Sequence, residues 1–309
     1  MALRLSRREF LTMAGAAASA AVLGACTPGA PTGGAEEPEA APTATPTPPP
    51  PTPTEVPPTP TPVVVGEPGG FDMVLVEAGS FEMGSASGRS AEQPVHTVQI
   101  TAPFYISKYE VTCEQYSDFR SDAACGDLPV GVIWYDAVEY CNWLSERAGL
   151  IPCYELKRLG TKCDFTATGY RLATEAEWEY AARGGNRSQG YVYAGSDDPA
   201  EVGWYADNSG EQAHPVGQLE PNELGLYDMS GNLMEWCWDW YTRDYYEESP
   251  SSDPTGPKLA STSYRDTIKV LRGGTFAGDA AGIRATSRHY AAPDYGEGGG
   301  DAIRLVRTA

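Results

Sequence analysis

Beyond Arg183 the chain has no sustained run of apolar residues at helical spacing; it is rich in Gly, Asn, Asp, Tyr and Trp up to its C-terminus. A helical bundle or a doubly wound sheet needs long periodic elements and has no use for such a stretch. The chain must therefore place a few strands and helices under long irregular loops, which is a loop-rich α+β fold. The regular elements come earlier. Phe71 to Glu77 and Val95 to Ile106 cluster β-branched and aromatic residues between Gly79, Gly84 and Pro94, as strands do. Thr112 to Gln115 has capping-box spacing. Trp134 to Ala148 puts Ala137, Tyr140, Cys141 and Leu144 on one face. Thr174 to Glu177 repeats the capping box ahead of Trp178, Ala181 and Ala182, so three helices are predicted.

The N-terminus reads as an address. Ser6-Arg7-Arg8-Glu9-Phe10-Leu11 has the form of a twin-arginine export signal, and the apolar run from Leu11 to Leu23 is too short to span a bilayer. It closes on Leu23-Gly24-Ala25-Cys26, small residues before a cysteine, the box at which a lipoprotein peptidase cuts and leaves a diacylated Cys26. Residues 1–26 are thus a signal. Residues 27–63, dominated by Pro, Thr, Ala, Gly and Glu with four prolines from Pro48 to Pro51, are expected to be a disordered tether. In polyproline II geometry such a segment reaches up to about 100 Å. The expected location is extracytoplasmic, lipid-anchored to the cell envelope, with residues 64–309 as one domain large enough for a buried core.

The formal net charge is −20, and losing Arg4, Arg7, Arg8 and Glu9 with the signal makes it more negative still. That balance argues against nucleic acid and against an anionic membrane face, leaving the lipid as the membrane contact. Cys113, Cys125, Cys141, Cys153, Cys163 and Cys237 form an even set in an exported domain, which suggests disulfides, with Cys113/Cys125 and Cys153/Cys163 the first pairs expected. No CxxC or Cys/His cluster suggests a structural zinc.

Eight segments then stand in a characteristic order: Gly79-Ser80-Phe81-Glu82-Met83-Gly84, Glu110-Val111-Thr112, Tyr140-Cys141-Asn142-Trp143-Leu144, Tyr170-Arg171-Leu172-Ala173-Thr174-Glu175 through Gly184-Gly185, Pro221-Asn222, Gly225-Leu226-Tyr227-Asp228-Met229-Ser230-Gly231-Asn232, Glu235-Trp236, and Arg272-Gly273-Gly274. Over residues 71–309 the chain resembles the formylglycine-generating enzyme (sulfatase-modifying factor) family, and the resemblance implies a C-type-lectin-like fold. Trp178, Trp236, Trp238 and Trp240 suit core packing in such a loop-rich domain. Asp228 and Glu235 flank the Ser230-Gly231-Asn232 turn and offer hard oxygen ligands. By resemblance, a structural calcium site falls on the side chains of Asp228 and Glu235 and the carbonyls of Gly231 and Leu233.

Catalysis is where the resemblance breaks. Enzymes of this family use two cysteines after the Arg-Gly-Gly segment to hold copper(I) and oxidise a substrate cysteine, because copper(I) prefers soft sulfur. Here that stretch reads Thr275-Phe276-Ala277-Gly278-Asp279-Ala280-Ala281-Gly282-Ile283, with no cysteine after Cys237. No copper is expected, and no catalytic residue is assigned. Related sulfoxide synthases need a His-rich helical domain, whereas this chain has only His96, His214 and His289.

A compositional bias occupies the same stretch. From Thr275 to Ala302, Glu297 is the one member of the group Glu, Lys, Gln, Met and Trp, where average usage would give about five or six. Those five types cannot be encoded by codons ending in a pyrimidine. Randomising both adenines of asparagine codons yields the set seen here. The stretch resembles the variable region of target proteins of diversity-generating retroelements, which use the same lectin-like fold. Arg272, Gly273, Gly274, Arg284, Arg288, Pro293 and Arg304 would be the fixed scaffold. Phe276, Ala277, Gly278, Asp279, Ala280, Gly282, His289, Tyr290, Ala291, Ala292, Tyr295, Gly296, Gly298 and Asp301 would form the binding surface, with aromatic contact area among small adaptable residues. The expected partner is a protein or glycan ligand outside the cell. Two alternatives remain open: a noncatalytic structural module of the envelope, and a formylglycine-type oxidase using unusual residues.

Overall fold

The computed structural model describes residues 63–309 apart from 68–69, 122–124, 158–159, 259–266 and 296–299. The export signal, Cys26 and almost all of the tether lie outside the described residues.

β1 (Val64–Glu67), β2 (Phe71–Val76), β5 (Phe104–Ser107), β8 (Arg171–Leu172) and β14 (Leu305–Thr308) form an antiparallel sheet in the order β1-β2-β5-β14-β8. The C-terminal strand lies inside this sheet, with Val306 opposite Ile106 and Leu305 opposite Leu172. Both faces are covered. Val74, Val76, Phe104, Ile106 and Val306 join a core with Trp178 and Leu226, whereas Met73, Leu172 and Leu305 join a second core with Trp134, Tyr140 and Trp236. A sheet buried on both sides explains why these strands read as apolar runs instead of clean alternation.

Three of the helices stand where capping and periodicity put them. α1 is Cys113–Ser117 and α3 is Glu175–Ala182, each with its full capping box on Thr112 or Thr174. α2 is Trp134–Arg147, with Ala137, Tyr140, Cys141 and Leu144 all buried. A short fourth, α4 (Pro199–Val202), precedes β9 (Gly203–Trp204). The run from Val95 to Ile106 is two strands, not one. β4 (His96–Ile100) pairs with β3 (Gly79–Met83), and β5 lies in the large sheet. Between them Thr101 donates its amide to Asp253 (2.9 Å) and Pro103 has no amide to donate, so the ladder breaks there.

β6 (Tyr154–Glu155) and β7 (Lys162–Cys163) make a small hairpin; β9 pairs with β10 (Ser230–Gly231). A second sheet, in the order β11-β12-β13, joins Glu235–Trp240, Lys269–Arg272 and His289–Ala291. Cys113 and Cys125 form the expected disulfide. The expected Cys153/Cys163 pair is not formed, and both thiols are free. Cys163 stands opposite Tyr154, while the Asp164 amide bonds the Cys153 carbonyl (2.8 Å), so the two cysteines are one position out of register on the ribbon. Trp178 and Trp236 are core residues; Trp238 and Trp240 are half-buried and, with Trp134, cage the fully buried Lys269. Its Nζ lies 4.0, 4.6 and 3.7 Å from the Trp134, Trp238 and Trp240 ring centres.

Candidate ligand-binding surface

After β12 the chain turns through two glycines with left-handed backbone, Gly273 (φ 85°) and Gly274 (φ 77°). A Cβ on Gly274 would stand 2.6 Å from the Gly282 carbonyl, so this turn is open only to glycine. The loop that follows is held from below: the Phe276 amide bonds the Asn232 carbonyl (2.8 Å), Ser209 Oγ donates to the Phe276 carbonyl (2.9 Å), and the Ala206 amide bonds the Gly278 carbonyl (2.9 Å). Asp279 then caps the 3-10 turn Ala280–Ile283 by accepting from the Gly282 amide (2.9 Å). His289 Nε2 meets the Gly282 carbonyl (2.8 Å), which ties that turn to β13. Burial holds the His289 imidazole below its ordinary pKa.

Phe276, Ala277, Gly278, Asp279, Ala280, His289, Tyr290, Ala291 and Ala292 thus sit on one loop-and-strand assembly. Ala277, Asp279 and Tyr290 are exposed; the others are half-buried. Gly282 departs from the expectation: it is buried beneath its own turn. Tyr295 is exposed at the end of a turn closed by its amide on the Ala292 carbonyl (2.9 Å), and Asp301 is half-buried in a bridge to Val132. Gly296 and Gly298 lie outside the described residues.

Four arginines interrupt this segment, and each is turned inward. Arg272 is wholly buried and pairs with Glu179 while donating to the carbonyls of Ala285 (3.0 Å), Thr286 (3.1 Å) and Ser287 (2.8 Å). Arg284 clamps Glu92 at 2.9 and 2.7 Å. Arg288 clamps Glu175 at 2.6 and 2.9 Å and lies 4.2 Å from the Tyr246 ring centre. Arg304 clamps Glu235 and also donates to the carbonyls of Ser107 (2.9 Å) and Tyr227 (2.8 Å). A planar guanidinium can bridge a carboxylate and several carbonyls at once, which is why arginine serves where irregular backbone must be fixed. Sequence reasoning expected the arginines as scaffold but not their acidic partners. Glu92, Glu175 and Glu179 were visible only as helix and loop residues.

The residues expected to bind calcium are neighbours, and both oxygens of Glu235 and one of Asp228 are engaged. Both Glu235 oxygens receive Arg304, and Oε2 also takes the Trp178 indole N–H (2.6 Å). Asp228 accepts the Gly217 amide (2.7 Å), and its carboxyl is pushed up to about 6, chiefly by burial. Glu110, which the sequence showed only inside a motif, completes the cluster by accepting from Asn232 Nδ2 (2.8 Å) and the Leu233 amide (3.2 Å). Burial, then the charges of Asp228 and Glu235, raise it well above the usual carboxylate range. Among the described residues no three His, Cys, Asp or Glu side chains converge so as to hold a metal. A calcium ion on Asp228, Gly231, Leu233 and Glu235 would have to share Glu235 with the Arg304 guanidinium, which holds both of its oxygens. The free thiols of Cys141, Cys153 and Cys237 are buried in the two cores, and burial raises each of them.

A C-type-lectin-like domain with arginine-pinned C-terminal loops is the class that this fold and surface define. Residues 65–309 match the sulfatase-modifying factor enzyme 1-like domain, and the chain belongs to that family. It is 40% identical over 218 residues to the chaperone protein LppX of Paenibacillus barcinonensis, covering 59% of this chain and 75% of that one. It is 32% identical over 254 residues to the formylglycine-generating enzyme of Streptomyces coelicolor, covering 66% and 78%. The serine/threonine-protein kinase pkn1 of Chlamydia pneumoniae is 32% identical over 250 residues, 71% of this chain, which spans only 35% of that relative. Among solved structures, Treponema denticola variable protein 1 superposes with a TM-score of 0.64 at 29% identity, covering 81% of this chain and all of that one. CarF superposes with a TM-score of 0.60 at 28% identity, covering 78% and 99%.

Proposed function

We propose that this chain is a surface-tethered lipoprotein that binds a protein or glycan ligand through the loops of residues 276–302, and that a retroelement diversifies those loops. Diacylated Cys26 would hold it to the envelope and residues 27–63 would carry the domain outward. The observation that carries the binding reading is the partition along one segment. Ala277, Asp279, Tyr290 and Tyr295 are exposed, while Arg272, Arg288 and Arg304 are buried in ion pairs and Arg284 is half-buried in one. The outward residues take no part in those ion pairs and can change while the pairs persist, which is what a variable binding surface requires. The likeness to a solved variable protein supports the same reading.

Sequencing the 3′ end of the gene, with its flanks, in many clones of one population tests it. The expected result is variation confined to codons of 276–302, constant codons for the four arginines, and a nearby near-copy whose adenines mark the variable bases. An invariant stretch with no such copy overturns the diversification and leaves a fixed envelope module.

A further inference from the structure

Three separate segments meet at Arg288. Its guanidinium holds Glu175 through Nε and Nη2, and its Nη1 donates to the carbonyls of Ala91 (2.7 Å) and Thr242 (3.4 Å). Residues 89–91, 241–243 and 288–290 are thereby fixed side by side. Tyr290 stands two places beyond Arg288, and side chains two apart along a strand leave by the same face. Both reach Tyr241, whose ring centre lies 4.5 Å from that of Tyr290 and 4.8 Å from the Arg288 guanidinium. Tyr241 is half-buried and Tyr290 is 56% exposed, so the inner ring supports an outer one that solvent reaches.

The exposed charges beside this pair are positive. Arg243, two residues after Tyr241, donates to the Ser90 hydroxyl (2.7 Å), which brings it to the segment that carries Arg89. Both arginines are exposed, and among the described residues neither forms an ion pair. Asp244, the next residue, opens the 3-10 turn Tyr245–Glu247 and pairs with neither of them. Burial raises the Tyr241 phenol above its ordinary pKa, and the Arg288 and Arg243 charges oppose that rise, so Arg243 is within electrostatic reach of the ring pair. Tyr241, Arg243 and Arg89 lie outside residues 276–302, whereas Tyr290 lies inside them. The fixed residues thus set the charge of what docks here, and the loop residue sets its fit.

We propose that the Tyr290–Tyr241 pair, with Arg243 and Arg89 beside it, binds a sugar that carries a ring carboxylate, a uronic or sialic acid residue of a glycan. The C–H face of the pyranose lies on the negative face of the Tyr290 ring, and the carboxylate takes a guanidinium fork. This rests on the reading of residues 276–302 as a binding surface. An acidic polypeptide would meet the same arginines, but the chain as a whole carries −20. Local charge prevails only within a screening length of about 8 Å, so a run of carboxylates that reaches past the two arginines is repelled. One carboxylate on one sugar stays within their reach.

The test is an array of glycans bearing uronic and sialic acids, the same glycans with each carboxyl reduced to the neutral alcohol, and random peptides, probed with the full chain. The expected result is retention of carboxylated glycans, with the reduced counterparts bound roughly tenfold or more weakly. Titrated against one retained glycan, Arg89→Gln/Arg243→Gln and Tyr290→Ala should each weaken binding by roughly tenfold or more, whereas Tyr290→Phe, which keeps the ring, should stay within about threefold. The three substituted residues are exposed, so unchanged thermal melting separates lost binding from lost folding. Arg147→Gln/Lys162→Gln removes as much charge at exposed positions of α2 and β7 and should leave affinity within about twofold. An equal loss there would mean a diffuse effect of charge and would overturn the proposal. Reduced glycans held as tightly as carboxylated ones overturn the carboxylate, and peptides held in place of glycans overturn the sugar; if either still needs Tyr290, residues 276–302 stand as a binding surface. Retention indifferent to Tyr290, or none on any probe, overturns the proposal, and codon variation across 276–302 then decides whether the surface reading survives it.

Discussion

Arg288 shows what a single side chain does in this domain. Its guanidinium satisfies both oxygens of Glu175, a carboxylate 1% exposed that also receives the Tyr246 hydroxyl (3.3 Å). Burial alone would raise Glu175, but Arg288 and Arg272 more than reverse it, and it titrates below the usual range. Arg288→Ala leaves that charge with Arg272 alone at 3.7 Å, and the expected loss is about 3 kcal/mol in urea unfolding, the low end for breaking a buried pair. Glu175→Gln in the same chain should recover part of the loss, whereas additive losses would show that the two residues do not act on each other. Asp228 carries the opposite sign. Its folded pKa of about 6 lies above its ordinary 3.8, because burial and the Glu235 charge favour the protonated form. Over that interval the folded state holds a proton the unfolded chain has released, so this contribution is complete below about 3.8 and is lost as pH rises through about 6. Glu110, raised for the same reason, adds to the trend. Glu92 and Glu175 sit below the ordinary value of 4.5, so their opposing slope fades out roughly one pH unit above it. Asp239, pushed up to about 8 chiefly by burial, has the same sign. The melting temperature should therefore fall from about pH 5.5 to 7, and Asp228→Asn should make the early part of that fall shallower; a profile unchanged by the substitution would rule out Asp228 as a contributor.

At the level of elements, α3 is the hub from which the surface is hung. Its Glu175 and Glu179 reach Arg288 and Arg272, and its Trp178 bonds Glu235, so one eight-residue helix fixes three segments of the C-terminal loops. This helix was legible because the Thr174 capping box and the spacing of Trp178, Ala181 and Ala182 are local signals. α1 and α2 were legible for the same reason. What local signals do not carry is pairing between distant residues: Val306 finds Ile106, Glu92 finds Arg284, and the Val95 to Ile106 run splits between two sheets because Pro103 and the Thr101–Asp253 contact interrupt it. The surface was legible only as composition. That Gly282 would be buried, or that Glu235 would be taken by Arg304, depends on contacts across 7 and 69 residues of chain. Arg284 gives the sharpest test at this scale, since its Glu92 pair and its Nε bond to the Ala281 carbonyl (3.0 Å) both pin the loop ahead of it. In Arg284→Ala, amide exchange at residues 277–287 should speed up by tenfold or more while α2 and the large sheet keep their protection, because the loop opens locally before the domain unfolds. Equal acceleration everywhere would make Arg284 a global strut.

At the scale of the whole molecule, the proposed function sets a different requirement, which is how an acidic domain would stay at an envelope. Among the described residues no helix is long and apolar enough to cross a membrane. With a net charge of −20, the chain gains nothing from an anionic lipid face. Under the proposed function the attachment then has to be covalent and apolar, and a diacylated Cys26 supplies it. Each buried methylene adds about 0.8 kcal/mol, and two chains convert marginal, reversible contact into stable anchoring. The domain begins at β1, whose Val64 pairs with Val74, so its fold is separated from Cys26 by the whole of residues 27–63. Cys26→Ser should for these reasons abolish labelling by radioactive palmitate and shift the exported protein from the membrane to the soluble extracytoplasmic fraction, with the melting temperature of the domain unchanged. Membrane association that survives the substitution and a high-salt wash would mean that something other than the lipid holds the chain, and the tethered-lipoprotein reading would have to be abandoned.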